Sequence, residues 1–357
     1  MKIVFVVPDM AGGGTERVVS LLANEYVKRG MEAAILSFAG NQQAYALDER
    51  VETISAGAAS KGSLKVRLER LREMRRYFKK NKGCYIFSFS TIGTGFIVLS
   101  TLCMKRRMLV SERTDPSSCD HKIYRNFFYR FCNALVCQTQ DAVESFPAYL
   151  RKKAYVVGNP IDPSIPDRYE GIRRKSICAV GRLEAVKNFE MLIEAFHIFV
   201  ADHADFVLEL YGKGSMEEEL KQLVDKKNLE KQVIFHGFCP DVKERIKDAS
   251  MFVLSSNYEG LSNSMIEALA MGIPVIATDC PIGGSRTYIQ NGKNGILVPV
   301  GNANKMAEAM TVIAEDLEFA EKCKKESENI LCSCSVKKIA DELLEIVDKR
   351  YEGKGDI

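Results

Sequence analysis

The chain has 357 residues, enough for about two domains, and its 46% of apolar residues can fill both cores. That composition excludes a disordered chain, a collagen-like fibre and a small disulfide scaffold. The net charge of +3 hides an asymmetry, because residues 1–165 hold 25 Lys/Arg against 15 Asp/Glu and leave the remainder acidic. One half is therefore suited to an anionic surface or substrate, and nothing suggests a nucleic-acid binder along the whole length.

Lys2–Val7 is an apolar, β-branched run and predicts a strand. Glu16–Arg29 predicts a helix, with Val18, Val19, Leu22, Ala23 and Tyr26 at helical spacing. Between them lies Pro8-Asp9-Met10-Ala11-Gly12-Gly13-Gly14-Thr15-Glu16-Arg17. Consecutive glycines let the backbone approach a ligand, and the helix that follows aims free N–H groups at the same spot, which suits a phosphate. The spacing is neither the dinucleotide fingerprint nor a P-loop.

Ala33–Phe38, Tyr85–Phe89, Met108–Val110, Ala134–Cys137 and Tyr155–Val157 read as further strands, apolar on both faces and hence parallel and covered by helices. Residues 61–82 hold ten Lys/Arg and two Glu, with Leu64, Leu68, Leu71, Met74 and Phe78 at helical intervals. They predict a basic amphipathic helix able to lie on an anionic leaflet, with its apolar face inserted or packed on the domain, in a patch enlarged by Lys105-Arg106-Arg107 and Arg151-Lys152-Lys153. Gly83–Met104 is 22 residues without a charge, long enough for a membrane span. Six Ser/Thr and three Gly within it favour instead a strand, a polar turn over Ser90–Gly95 and a short helix over Phe96–Met104.

Asn159-Pro160-Ile161-Asp162-Pro163-Ser164-Ile165-Pro166 carries three prolines and reads as a linker. The alternation then restarts. Strands are predicted over Ser176–Val180, Phe206–Tyr211, Val233–His236, Met251–Leu254 and Pro274–Ala277, and helices over Phe189–Val200, Met216–Lys226, Asp241–Lys247 and Ser264–Met271. The fold class is α/β, with two Rossmann-like, doubly wound parallel sheets whose ligands are expected in a cleft outside the carboxyl ends of the strands.

In the second half, Gly181-Arg182-Leu183-Glu184-Ala185-Val186-Lys187-Asn188 places two cations around a loop that opens a helix, so both can converge on one anion. Glu259-Gly260-Leu261-Ser262-Asn263-Ser264-Met265-Ile266-Glu267 sets two carboxylates eight positions apart around a helix start. Leu261, Ser262 and Asn263 would present backbone amides to a phosphate, and Glu259 and Glu267 could accept hydrogen bonds from sugar hydroxyls. Ile266, Ala268, Leu269 and Ala270 surround Glu267, so its carboxylate is expected near packed surface and needs a partner.

The eleven cysteines form no Cys-x-x-Cys pair. Cys84, Cys103, Cys137 and Cys178 sit in apolar runs, as small buried hydrophobes do. With no N-terminal signal peptide, this points to a reducing cytoplasm. Four scattered histidines and the lack of an Asp-x-Asp motif predict no protein-held metal and no cofactor.

The order of these motifs, together with Asn159-Pro160-Ile161, Tyr211-Gly212-Lys213-Gly214, Gly237-Phe238 and Gly272-Ile273-Pro274-Val275, resembles the retaining glycosyltransferases of group 1 (family 4), from about Lys2 to Val298. The resemblance implies the two-domain GT-B fold. It implies an acceptor-binding domain over 1–160, a nucleotide-sugar domain over 161–335, and a C-terminal helix within 336–357 that crosses back to the first. It also implies Arg182 and Lys187 on the diphosphate, Glu267 on the ribose and Glu259 on the transferred sugar. Gly260, Leu261, Ser262 and Asn263 would line the donor, Phe238 would lie near the base, and Gly13 and Gly14 would close over the phosphates. Glu16, Arg17, Glu112 and Arg113 are the acceptor-side candidates.

Ser111-Glu112-Arg113-Thr114-Asp115-Pro116 and Asp279-Cys280-Pro281-Ile282-Gly283-Gly284 resemble the branch that extends lipid-linked saccharides in capsule or glycan assembly, often with UDP-linked donors. Two departures fall in this branch pattern. Ser88-Phe89-Ser90-Thr91 stands where many relatives carry a His, and Ser285-Arg286-Thr287 where a Glu is usual. The expected partners are a UDP-sugar, a lipid-linked saccharide and an anionic membrane at the inner face of the cell. The alternative is an inactive sugar-nucleotide-binding or scaffold protein on the same fold, against which the presence of both carboxylates and both cations argues.

Overall fold

A computed structural model describes residues 1–40, 42–57 and 64–352. Residues 61–63, at the start of the predicted basic helix, lie outside that set. The chain divides into two compact units, residues 1–162 with 334–357, and residues 163–333.

Unit 1 alternates strand and helix: β1 (Lys2–Val7), α1 (Gly14–Lys28), β2 (Glu32–Ser37), β3 (Glu52–Ser55), α2 (Leu64–Lys80), β4 (Tyr85–Ser88), α3 (Thr91–Ser100), β5 (Arg107–Glu112), α4 (Lys122–Tyr129), β6 (Ala134–Cys137), α5 (Gln140–Glu144), α6 (Ala148–Arg151) and β7 (Ala154–Val156). All seven strands are parallel, in the order β3-β2-β1-β4-β5-β6-β7. The order reverses between β1 and β4, so the glycine-rich loop after β1 sits at the switch point where open α/β sheets hold ligands. One core packs Ile3, Phe5 and Val7 with Leu22 and Tyr26 of α1.

The last helix, α15 (Val336–Glu352), belongs to the same core. It buries Ile339, Ala340, Leu343 and Val347 among those side chains. Tyr26 Oη donates to the Ala340 carbonyl at 2.9 Å, and Arg29 reaches the Lys337 carbonyl at 2.8 Å.

Unit 2 runs β8 (Arg174–Val180), α7 (Phe189–Val200), β9 (Val207–Tyr211), α8 (Glu217–Lys226), β10 (Val233–Gly237), α9 (Val242–Ile246), β11 (Ala249–Leu254), α10 (Asn263–Ala270), β12 (Val275–Thr278), α11 (Gly284–Tyr288), β13 (Gly295–Val298), α12 (Ala303–Glu315), α13 (Leu317–Glu326) and α14 (Glu328–Ser333). Its parallel sheet is ordered β10-β9-β8-β11-β12-β13, with the reversal between β8 and β11.

Two expectations need correction. The segment Ser90–Gly95 is not a turn, because α3 already begins at Thr91, with Ser90 Oγ capping it by accepting from Gly93 N at 3.2 Å. Gly93 and Gly95 serve close packing inside that helix. A Cβ on Gly93 would lie 2.9 Å from the Phe38 ring, and one on Gly95 1.9 Å from Tyr124 Oη. Cys103 is exposed in the turn after α3, unlike the buried Cys84, Cys137 and Cys178. Among the described residues, no helix is long and apolar enough to cross a membrane.

Candidate active site

The loop after β8 and the loop after β11 leave adjacent strands at the switch point of the unit 2 sheet. The first loop is pinned on its other side by the turn after β9. Leu183 N donates to the Lys213 carbonyl at 3.1 Å, and Gly181 N to the Tyr211 carbonyl at 2.9 Å. This approach leaves no room for side chains, since a Cβ on Gly212 would lie 1.8 Å from the Gly181 carbonyl oxygen. Glu184 accepts from Ser215 N at 3.1 Å and from its hydroxyl at 2.8 Å, and those hydrogen bonds hold its carboxyl below the usual range.

Ala185–Lys187 forms a single 3₁₀ turn that ends at Asn188. Asn188 adopts a left-handed conformation at φ 48°, tolerated by its short polar side chain, and caps α7 by accepting from Met191 N at 3.2 Å. Its amide also donates to Asn257 at 2.7 Å, while Asn257 N donates to the Val186 carbonyl at 2.9 Å. Ser255 Oγ closes the seam on the Lys187 carbonyl at 2.8 Å. These bonds bring Lys187 Nζ onto Glu259 Oε2 in a direct ion pair, with each side chain less than one-fifth exposed. Ser256 Oγ donates to the same carboxylate oxygen at 3.3 Å. Arg182 lies on the same loop and is exposed.

Gly260 and Leu261 lead into α10, whose N-cap Ser262 accepts from Met265 N at 3.4 Å. Ser264 Oγ ties this helix start to the Val180 carbonyl at the end of β8, at 3.2 Å. On the other side, Gly284 opens α11 against Gly260, so that a Cβ there would lie 1.6 Å from the Gly260 carbonyl oxygen. Leu261 and Ser262 are buried, and so is Glu267, at 6% exposure. Phe238 follows Gly237, whose carbonyl accepts from Gly212 N at 2.8 Å, and its ring is 72% exposed. The fold thus sets Arg182, Lys187, Phe238, Glu259 and Gly260–Asn263 on loops and a helix start that follow strands of one sheet, with Glu267 one turn further into α10.

Unit 1 carries a second group at the corresponding end of its own sheet. Gly13 is extended and Gly14 is the first residue of α1, two positions before the predicted start. Tyr45 Oη holds the Gly13 carbonyl at 3.0 Å. Glu16 lies in the first turn of α1. Arg17 pairs with Asp162 at 3.6 Å, and Arg113 donates to Asn159, which also accepts from Gln138 at 2.7 Å. Arg17 and Arg113 therefore grip the two ends of the Asn159–Asp162 strap. Glu112 is buried at the end of β5, where it accepts from Thr114 Oγ1 at 2.9 Å and Tyr129 Oη at 3.1 Å. Burial, reinforced by that carboxylate, pushes the Tyr129 phenol well above its ordinary value.

The sequence reading did not single out Asn257, Ser256, Tyr129 or Asn159 as contacts of these residues. Asn257 and Ser256 were within reach of it, since they stand two and three positions before Glu259. Tyr129 was not, because its partner lies 17 residues away on another element.

Comparison with known proteins agrees with this architecture. The model of the glycosyl transferases group 1 matches residues 169–330, and that of glycosyltransferase family 4 matches residues 12–165. An uncharacterized glycosyltransferase of Haemophilus influenzae is 22% identical over 320 residues, 88% of this chain and 90% of that protein. The Campylobacter jejuni GalNAc-alpha-(1->4)-GalNAc-alpha-(1->3)-diNAcBac-PP-undecaprenol alpha-1,4-N-acetyl-D-galactosaminyltransferase is 24% identical over 358 residues, 97% of this chain and 98% of that one. The chain spans 35%, 59% and 61% of the length of three further relatives. Anabaena HepE, solved in complex with UDP, superposes with a TM-score of 0.81 at 17% identity, covering 98% of this chain and 100% of that one.

Proposed function

This chain belongs to the group 1 and family 4 glycosyltransferases of GT-B fold, and we propose that it moves a hexose or N-acetylhexosamine from a UDP-sugar to a lipid-linked saccharide with retention of anomeric configuration. The observation that carries this reading is the seam at the unit 2 switch point, where Lys187 meets Glu259 beside the amide-bearing start of α10. The UDP-bound neighbour and the undecaprenol-linked acceptor in a relative's name support the choice of donor and acceptor.

In this reading Arg182 and Lys187 bind the diphosphate, the N–H groups of Gly260–Asn263 face its oxygens, Glu267 holds the ribose and Phe238 borders the base. The bond from the anomeric carbon to the diphosphate breaks, and the acceptor oxygen bonds to that carbon on the same face. The acceptor proton passes to the departing phosphate oxygen, so no separate base is required. Negative charge grows on the leaving group, and the two cations with the helix start stabilise it. Positioning both substrates contributes about 7–11 kcal/mol of barrier reduction in such reactions.

Glu259 carries hydroxyls of the transferred sugar and lines up its anomeric carbon. Glu16 and Glu112 serve the acceptor, while Arg17 and Arg113 act as positioning residues through Asp162 and Asn159. A lipid-linked acceptor places the enzyme at an anionic cytoplasmic leaflet, on which the basic helix α2 rests.

The test is UDP release from a panel of UDP-, GDP- and ADP-sugars, with the product anomer read by NMR. Turnover of a UDP-sugar with an α-linked product supports the proposal. An inverted product overturns retention, and binding of UDP without turnover supports the inactive reading instead.

A further inference from the structure

We propose that the outer face of α2, α3 and α4 is a bilayer-docking surface, in which an apolar ridge on α4 enters the headgroup region of an anionic leaflet. The proposal rests on the lipid-linked reading of the acceptor and adds which side chains make the contact.

The three helices lie side by side, α2 against α3 and α3 against α4. Gly95 of α3 admits the Tyr124 hydroxyl of α4, and Arg67 of α2 is near enough to oppose the upward push that burial exerts on that phenol. Ile123, Phe127 and Phe131 follow at intervals of four and therefore share one side of α4 and its C-terminal turn. All three are exposed, Ile123 at 90%. Arg125, Phe128 and Tyr129 face inward on the same helix. The ridge is braced by its own rings, with Phe127 and Phe131 centroids 5.6 Å apart and Phe127 and Phe128 5.1 Å apart. Leu64 and Leu68 on α2, and Ile92 and Leu99 on α3, are exposed as well.

Single exposed apolar residues are ordinary, but three in a row on one side of a helix, two of them in ring contact, mark an interaction surface. Charge decides the occupant. Helix α2 carries eight Lys/Arg against two Glu, and Lys65, Arg67, Arg72, Arg76 and Lys79 are all exposed. Lys122 and Arg130 bracket the ridge itself, with the Arg130 guanidinium 5.8 Å from the Phe131 ring centroid. An apolar wedge bordered by cations matches acyl chains beneath anionic headgroups, and reversible anchoring needs both signals together.

The chain contains no tryptophan, so one introduced on the ridge is a clean reporter. Full-length Phe127→Trp and Ile172→Trp, the latter at a 97% exposed position of unit 2, are titrated with phosphatidylglycerol/phosphatidylcholine vesicles and with phosphatidylcholine alone. The expected result is a blue shift and quenching by brominated lipid for Phe127→Trp on the anionic vesicles only, with Ile172→Trp unchanged. Ile123→Asp combined with Phe127→Asp should lower vesicle partitioning at least tenfold while leaving the thermal shift given by UDP intact. Vesicle binding with an unshifted, unquenched Phe127→Trp would overturn the ridge in favour of adsorption through α2 alone. No vesicle binding, or a dimer broken by Phe127→Asp, would overturn the surface as a membrane site. Loss of the UDP response in the parent chain would count against the donor reading and not against this surface.

Discussion

Lys187 and Glu259, 72 positions apart, form an ion pair at the switch point of the unit 2 sheet, on loops that leave the adjacent strands β8 and β11. The two side chains are assigned to different parts of the donor, so their variants should separate binding from turnover. Glu259→Gln removes the carboxylate that competes for the Lys187 ammonium. UDP affinity should hold or rise in that variant, while turnover of the UDP-sugar should fall by about 30-fold or more, about 2 kcal/mol. Calorimetric UDP titration and steady-state kinetics on the same preparation check both halves.

Gly284 and Gly260 allow a helix start and a donor loop to touch, and a side chain at Gly284 has only backbone to displace. Gly284→Ala should cost about 1–3 kcal/mol, typical of overpacking, and should weaken UDP binding because the Gly260–Leu261 backbone must move. Urea denaturation gives the first quantity and UDP titration the second.

Acidification should loosen the loop after β8 through Glu184. Its carboxyl is held below the ordinary 4.5 by hydrogen bonds from Ser215, so its stabilising effect is complete above that value and disappears as pH falls through the lowered one. Glu184→Gln keeps an acceptor for Ser215 but no charge. The difference in melting temperature between the parent and this variant should stay constant from pH 7 to about pH 5 and shrink below it.

Leu343 of α15 is 1% exposed in the core shared with α1. Leu343→Ala should destabilise unit 1 by about 2–5 kcal/mol. Hydrogen exchange should show lost protection in α1 and α15, with α7 of unit 2 unaffected.

The central strands were legible because each is buried on both faces and reads as an unbroken apolar run: Lys2–Val7, Ala134–Cys137 and Met251–Leu254 needed no tertiary information. Strand β3 was not, since Glu52, Thr53 and Ser55 leave Ile54 as its one aliphatic residue, as an exposed edge permits. The start of α3 was missed for the opposite reason. Gly93 and Gly95 carry a turn signal, yet their small size is needed against Phe38 and Tyr124, which sequence spacing does not reveal. Helix α12 and strand β13 went unassigned although Met306, Met310 and Ile313 recur at helical spacing there. In the site, the cation loop and the paired glutamates were visible as motifs. What only the fold supplies is that they follow neighbouring strands, that Asn188 and Asn257 stitch them together, and that Arg17 and Arg113 are engaged by Asp162 and Asn159.

The central claim is that the loop after β8 grips the pyrophosphate of a nucleotide-sugar, and calorimetric titration of UDP into the parent chain, Arg182→Ala and Lys187→Ala tests it most directly. The account predicts saturable binding by the parent and an affinity at least about tenfold lower in each variant, about 1.4 kcal/mol. Equal affinity in all three proteins would contradict it.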